Sequence, residues 1–301
     1  MGAGALRNLL SAAPLLFAPA LVFAHVPEPG PALPSLWSWN TQPWLLGLLA
    51  LSAIGYALGL RRLWANAGSG RGVATWQAGA FALGWLSLVG ALVSPLDTWG
   101  GLLFSAHMVQ HELLMVVSAP LMVIGRPLAT WTWALSPSQR RSVGRLFQGR
   151  RWSAVWGTLT DPLVAWAVHA LALWAWHIPA AFDAALRHEG LHILQHLSFF
   201  VTALFFWWSV LGHDPRGRYG PGHSAAYLFT TMMHTGALGA LLSLSPTAWY
   251  APYIPLTGAL GFDPVQDQQL GGLVMWVPAG LAYVVAALWV LGRMLTRGAR
   301  A

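Results

Sequence analysis

The sequence predicts an all-α fold: a polytopic transmembrane helical bundle with seven spans after signal peptide removal, N-terminus outside and C-terminus inside. Three observations carry that prediction. The chain is 56% hydrophobic and only 8% charged, with a mean hydropathy of +0.55, which is too little polar surface to keep 301 residues dissolved. Its apolar residues gather in runs that approach the roughly 20 residues a helical span needs, without the alternation of a barrel. Its cations, all arginine, fall almost entirely in alternate connections. Distributed in that way, a net charge of +7 is a topology signal and not a nucleic-acid surface.

Taken in order, Arg7, the apolar stretch from Leu9 to Phe23 and the site Val22-Phe23-Ala24 read as a signal peptide over 1–24. Residues 25–301 are then a single seven-helix transmembrane domain. Cleavage after Ala24 would make His25 the new N-terminus, where amine and imidazole together offer a copper chelate. The expected spans run at about 43–63, 73–94, 101–124, 162–180, 190–211, 224–245 and 269–293. Arg61, Arg62 and Arg71 follow the first span. Arg126, Arg140, Arg141, Arg145, Arg150 and Arg151 fill the third connection, Arg216 and Arg218 the fifth, and Arg293, Arg297 and Arg300 the tail. These positions share one side, the inside, and only Arg187 lies opposite. Glu28, Asp97, Asp183, Glu189, Asp263 and Asp267 mostly collect outside. In the third connection, Val143, Leu146 and Phe147 recur at helical spacing among the arginines, which predicts a surface helix against anionic headgroups. The connection over 246–268 holds Trp249, Tyr250, Pro252, Tyr253 and Pro255 and is expected to form an ordered aromatic cap.

Cysteine is absent, which excludes thiolate metal sites and leaves His, Met and carboxylates as ligands. Histidines are concentrated in the spans, where ionisable groups are costly and mark function. His107 and His111 are i and i+4 on one helix face, the arrangement two ligands of one ion need. His192 and His196 repeat it, with His188 one turn earlier if the helix extends that far. At 1.5 Å per residue, His107 and His196 both fall roughly 9 Å below the outer surface. The expected arrangement has two connected levels, an outer one of His177, His188 and His192 with Asp183, and a deeper one of His107, His111, His196, His169 and His234. Neutral imidazoles, with Met108 and Met115 flanking His111, suit copper; zinc is compatible, and haem b held by two imidazoles is the rival. Glu112 is the one acid inside a span, open to ligation, proton relay or a hydrogen bond. Asp267 lies at the outer mouth of the last span, either drawing cations inward or capping a helix. No nucleophile with its base, phosphate loop or nucleotide fingerprint is present.

Several of these segments resemble a known family. Ser105-Ala106-His107-Met108-Val109-Gln110-His111, followed by Ala119-Pro120 and Gly125-Arg126-Pro127, is similar to the signature of the CtaG-type (caa3-type) cytochrome c oxidase assembly proteins. So are Trp176-His177-Ile178-Pro179 with Asp183-Ala184-Ala185-Leu186, and the run from His192 through His196 to Trp208. His234 through Gly239 and Asp267 through Trp276 complete the set. The resemblance covers roughly residues 40 to 295. It implies a bacterial cytoplasmic-membrane protein that assembles haem-copper oxidases through copper supply, distinct from the single-span, cysteine-using chaperones that share the CtaG name. By position, His107, His111, His177, His192, His196, His234 and Asp267 fall on the family's polar motif positions. Gln195 stands before His196 where the pattern has an acid, and Glu112 follows His111 where it has an apolar residue.

The resulting expectation is a non-enzymatic copper-binding assembly factor in the lipid bilayer, with an oxidase subunit as client and a periplasmic copper donor. The alternatives are a bis-histidine haem protein, a membrane metalloenzyme with Glu112 or Asp267 as proton carrier, and a copper importer without a dedicated client. No nucleic-acid partner is expected.

Overall fold

The computed structural model describes residues 34–211 and 221–298. The expected signal peptide over 1–24 and His25 lie outside the described residues, as do Arg216 and Arg218. Among the described residues the chain is helical throughout, without a strand. The helices are α1 (Pro43–Ala67), α2 (Thr75–Leu92), α3 (Pro95–Gly100), α4 (Phe104–Glu112), α5 (Ala119–Ile124), α6 (Pro127–Ala134) and α7 (Pro137–Gln148). They continue with α8 (Arg150–Leu159), α9 (Pro162–Trp176), α10 (Pro179–Arg187), α11 (Glu189–Leu211), α12 (Pro221–Ser243), α13 (Tyr253–Ala259) and α14 (Pro264–Gly298). Proline opens many of them because its missing N–H is unpaired in a first turn anyway and its fixed φ suits the helix.

Five stretches are long and apolar enough to cross a membrane: α1, Phe104–Ile124, α11, Gly222–Ser243 and Pro264–Gly292. The pair α9 and α10 makes a sixth if it is one span. The run expected at 73–94 is present as α2, an 18-residue helix outside that set. The protein is therefore a multi-pass helical membrane protein.

Two expected spans are not simple rods. The one expected at 162–180 breaks after Trp176 and bends by 75° into α10. The cause is local: Pro179 drives Ile178 out of the helical region, to φ −62° and ψ 126°, and His177 is left as the cap of α9. The second is Phe104–Ile124, where a π-helical turn over Leu113–Ser118 separates α4 from α5.

Small residues set the closest crossings. A Cβ on Gly239 would stand 2.7 Å from the Gly272 carbonyl oxygen, and one on Gly272 would stand 2.6 Å from that of Gly239, so α12 and α14 meet backbone to backbone. A Cβ on Gly271 would enter the Phe104 ring, which brings α14 equally close to α4. One large apolar core, including Phe199, Phe206, Trp207 and Tyr283, fills the middle of the bundle. A second, with Phe104, Met108, Phe182, Tyr250 and Tyr253, closes the end that carries α3, α10 and α13, called here the cap end. The arginine-rich α7 and α8 bury no residue and carry the tilted ring pair Phe147 and Trp152, 5.1 Å apart, and the Arg140 guanidinium over Trp133 at 3.9 Å. That is the amphipathic surface helix expected there, split in two at Gly149.

Candidate metal centre

Five histidines from three helical segments meet at the cap end. On α4 the rings of His107 and His111 are 4.3 Å apart, and on α11 those of His192 and His196 are 4.2 Å apart. The two pairs face each other: His107 lies 5.4 Å from both His192 and His196, and His111 lies 5.1 Å from His196. At the C-terminal end of α9, His177 lies 6.3 Å from His111. One ligand atom each from His107, His192 and His196 falls within 4.8 Å of the others. Members of both expected levels, His177 and His192 from the outer one and His107, His111 and His196 from the deeper one, thus share one cluster.

The other expected members lie elsewhere. His188 is exposed and precedes α11, its carbonyl accepting the N–H groups of Leu191 and His192, so it does not extend the helical row. His169 lies roughly 12 Å along α9 from His177, bonded through Nδ1 to Thr202 Oγ1 at 2.9 Å. His234 stands perpendicular to Trp166 at 5.4 Å. Met108 packs into the aromatic cluster of the cap and Met115 into the central core. Asp183 pairs with Arg187 at 3.7 Å. Asp267 is only 8% exposed and is not an outward carboxylate: it accepts the Phe104 N–H at 2.7 Å, the Ser105 N–H at 3.3 Å and the Ser105 hydroxyl. It caps a helix, as one expectation held, but the helix is α4, while Asp263 caps α14.

Hydrogen bonding decides which ring nitrogen faces the centre. The Tyr253 hydroxyl donates its one proton to the Gly100 carbonyl at 2.6 Å, so His107 Nδ1, 3.0 Å from the same oxygen, is the donor to it. Burial, with the nearby Asp267 carboxylate and Tyr250, raises the Tyr253 hydroxyl well above the ordinary tyrosine range, which keeps that proton in place. At His177, Nδ1 donates to the Leu173 carbonyl at 2.7 Å. In both neutral rings the lone pair then belongs to Nε2. The Nε2 atoms of His107, His111, His177, His192 and His196 are all buried and have no hydrogen-bond partner within the protein, and neither does His111 Nδ1. Buried polar atoms are almost always paired, and this many unpaired nitrogens on neighbouring rings form a cluster that could hold a metal ion.

Two contributors were not among the expected site residues. Tyr253 was expected only as part of a cap, yet it orients His107 across 146 residues of sequence. Asp97 is held by Gln110 Nε2 at 2.9 Å and Asn40 Nδ2 at 3.0 Å, which fixes a carboxyl group beside α4 at the cap end. Phe182 covers the cluster from the cap side, 5.2 Å from His107 and 4.1 Å from Tyr250, and Phe199 floors it, 4.7 Å from His111. His192 alone of the five is half-buried.

The chain matches the family described as cytochrome c oxidase caa3 assembly factor (Caa3_CtaG) over residues 54–297. It is 26% identical to uncharacterized proteins of Mycobacterium bovis and Mycobacterium tuberculosis, in each case over 92% of this chain and 42% of the relative. An uncharacterized protein of Mycobacterium leprae is 25% identical over 86% of this chain and 39% of its own length. The chain therefore spans less than half the length of the curated relatives it matches. No solved structure matches it. With the family match covering all but the first helical turns and the last few residues of the bundle, the chain belongs to the cytochrome c oxidase caa3 assembly factor family.

Proposed function

We propose that this protein is a non-enzymatic copper carrier of the bacterial cytoplasmic membrane, which binds copper at its five-histidine cluster and passes it to a haem-copper oxidase subunit during assembly. The observation that carries the reading is that His107, His192 and His196 bring ligand atoms within 4.8 Å of one another beside His111 and His177, with all five Nε2 atoms buried and unpartnered and two tautomers fixed from behind. His107, His111, His177, His192 and His196 would be the ligands, with Asp97 offsetting the charge. Copper here is cargo, so its ligands must bind strongly and still exchange. A crowded set of similar imidazoles supports that, because one nitrogen can replace another stepwise.

The crowding also favours an ion over haem b. Rings 4.2 to 5.4 Å apart leave no slot for a macrocycle between them. For the bundle we adopt seven spans, counting α2 and the bent α9–α10 pair, with the cap end outside and α7 and α8 inside. The arginine distribution supports this orientation. Copper then arrives from the outer face.

The test is anaerobic competition of the purified full chain against a cuprous chelator, with metal analysis and an optical spectrum. Copper binding that falls by about 100-fold or more in His107→Ala/His111→Ala is expected, since even second-shell losses cost 10–100-fold. Unchanged affinity in that variant, or a Soret band in protein from a haem-replete host, would overturn the assignment. Crosslinking to an oxidase subunit in the native membrane tests the client, and its absence would leave a copper importer as the better reading.

A further inference from the structure

The two histidine pairs stand in the same five-residue pattern, His107-Met108-Val109-Gln110-His111 on α4 and His192-Ile193-Leu194-Gln195-His196 on α11. Both glutamines are fully buried, yet they are used differently. Gln110 is anchored: its Nε2 donates to the Ala91 carbonyl at 2.8 Å and to Asp97 Oδ1 at 2.9 Å. Gln195 Oε1 and Nε2 are both buried, and neither has a partner within the protein. A carboxamide offers a carbonyl acceptor and two N–H donors, and burying it with all of them idle is costly. Packing alone does not explain this residue.

Its place on α11 sets it beside the imidazoles. Gln195 comes three residues after His192 and four before Phe199, neighbouring positions on one helix face with Cβ atoms about 5–6 Å apart. His192 lies 5.4 Å from His107, and the Phe199 ring lies 4.7 Å from His111 and 6.1 Å from His177. The amide is thus flanked along its own helix by two rings that border the cluster, and it comes within interaction range of the His107 ring itself. On the same flank, Trp176 Nε1 donates to Ser198 Oγ at 2.8 Å and Ser198 Oγ donates to the Gln195 carbonyl at 2.8 Å. That pins this side of α11 to the end of α9 that carries His177.

Charge gives the amide its consequence. Among the described residues, the ligand atoms grouped within 4.8 Å belong to three imidazoles and to no carboxylate. Asp183 is paired with Arg187 and Asp267 is committed to α4, which leaves Asp97 to balance a single positive charge. A second would be uncompensated, and desolvation cost grows with the square of the charge. A glutamate at this position would supply the missing charge with almost the same shape. We propose that Gln195 is the specificity-determining residue of the cluster, a neutral carboxamide beside the ligands that keeps the donor set uncharged and so favours a soft monovalent ion of the cuprous type over divalent ions such as zinc. The inference rests on the five-histidine cluster being the copper site, and it adds what selects the ion there.

The experiment measures cuprous and zinc affinities separately, by anaerobic chelator competition, on purified full-length wild type, Gln195→Glu and Gln195→Leu. Gln195→Glu is expected to bind zinc about 10-fold or more tightly than wild type does, without a matching gain for cuprous ion. Gln195→Leu leaves the site uncharged and is expected to keep the wild-type ratio of the two affinities. A merely structural role would move both affinities alike. An unmoved ratio in Gln195→Glu, or an equal shift in Gln195→Leu, overturns the proposal and leaves the copper reading intact, whereas wild type that binds no copper overturns both. If the glutamate variant fails to fold, Gln195→Asp carries the same charge and is read in the same way. Wild type gives an independent reading: silver(I), soft and singly charged, is expected to displace bound cuprous ion where the same excess of zinc does not. Displacement by zinc and not by silver refutes the proposal.

Discussion

A single proton at His107 links the aromatic cap to the ligand cluster. Tyr253 spends its hydroxyl hydrogen on Gly100, so His107 must donate from Nδ1 and face the centre with Nε2. Tyr253→Phe removes that restraint and leaves Nδ1 only the Gly100 carbonyl at 3.3 Å. We expect copper affinity to fall by about 10–100-fold with stoichiometry unchanged, measured by the same chelator competition. Tyr250→Phe is the matched control, because its hydroxyl donates to the His177 carbonyl at 3.1 Å and leaves the imidazole alone; a loss equal to that of Tyr253→Phe would sink the tautomer argument. The paired histidines were legible in the sequence because i, i+4 spacing on a helix needs no tertiary information. Tyr253 and Asp97 were not, since Tyr253 reaches its histidine from 146 residues away and Asp97 is set by Asn40 and Gln110. The packing of Met108 is a tertiary contact of the same kind. Sequence spacing puts it near the histidine face, whereas the structure commits it to the aromatic cluster against α14.

Among the elements, the broken α9–α10 pair closes the site, since the bend folds α10 back and sets Phe182 against both His107 and His177. Its proline was visible in the sequence, but hydropathy counts apolar residues without giving their direction, so the run over 162–180 read as one span. The π turn after Glu112 was illegible for the same reason: it changes the phase of the helix and not its composition. The α12–α14 crossing yields a direct prediction. Gly239→Val would force a side chain into the Gly272 carbonyl and the Trp276 backbone, and should cost about 1–3 kcal/mol. The check is the thermal midpoint in detergent, with Gly79→Val, where a Cβ meets nothing, as the neutral comparison. Asp267→Ala should lower the same midpoint by the equivalent of about 1–2 kcal/mol, since it uncaps α4 at Phe104 and Ser105. A midpoint unchanged by Asp267→Ala would mean that water replaces the carboxylate.

For the whole molecule, the all-helical class and the limits of most long helices could be read from the sequence, because a bilayer permits few backbone solutions and each leaves a mark in hydropathy. Helix neighbours could not be read, since they depend on small-residue contacts between distant segments. The natural lack of cysteine makes the proposed orientation easy to test. An impermeant thiol reagent should label Phe262→Cys, which is 59% exposed at the cap end, in intact spheroplasts. It should reach Ser138→Cys at the head of α7 only after the membrane is opened. The reverse pattern would invert the bundle.

The orphaned nitrogens at the cap end carry a last consequence, for the abundance of the protein in the cell. A fold that leaves so many buried acceptors without partners is incomplete as a thermodynamic object until something from outside satisfies them. Copper at about 100 times its dissociation constant would add about 2.7 kcal/mol of stability, a sizeable share of what holds a typical domain folded. If the protein binds copper as proposed, molecules without it would unfold more often and be degraded sooner, so its quantity in the membrane would follow the supply of the metal.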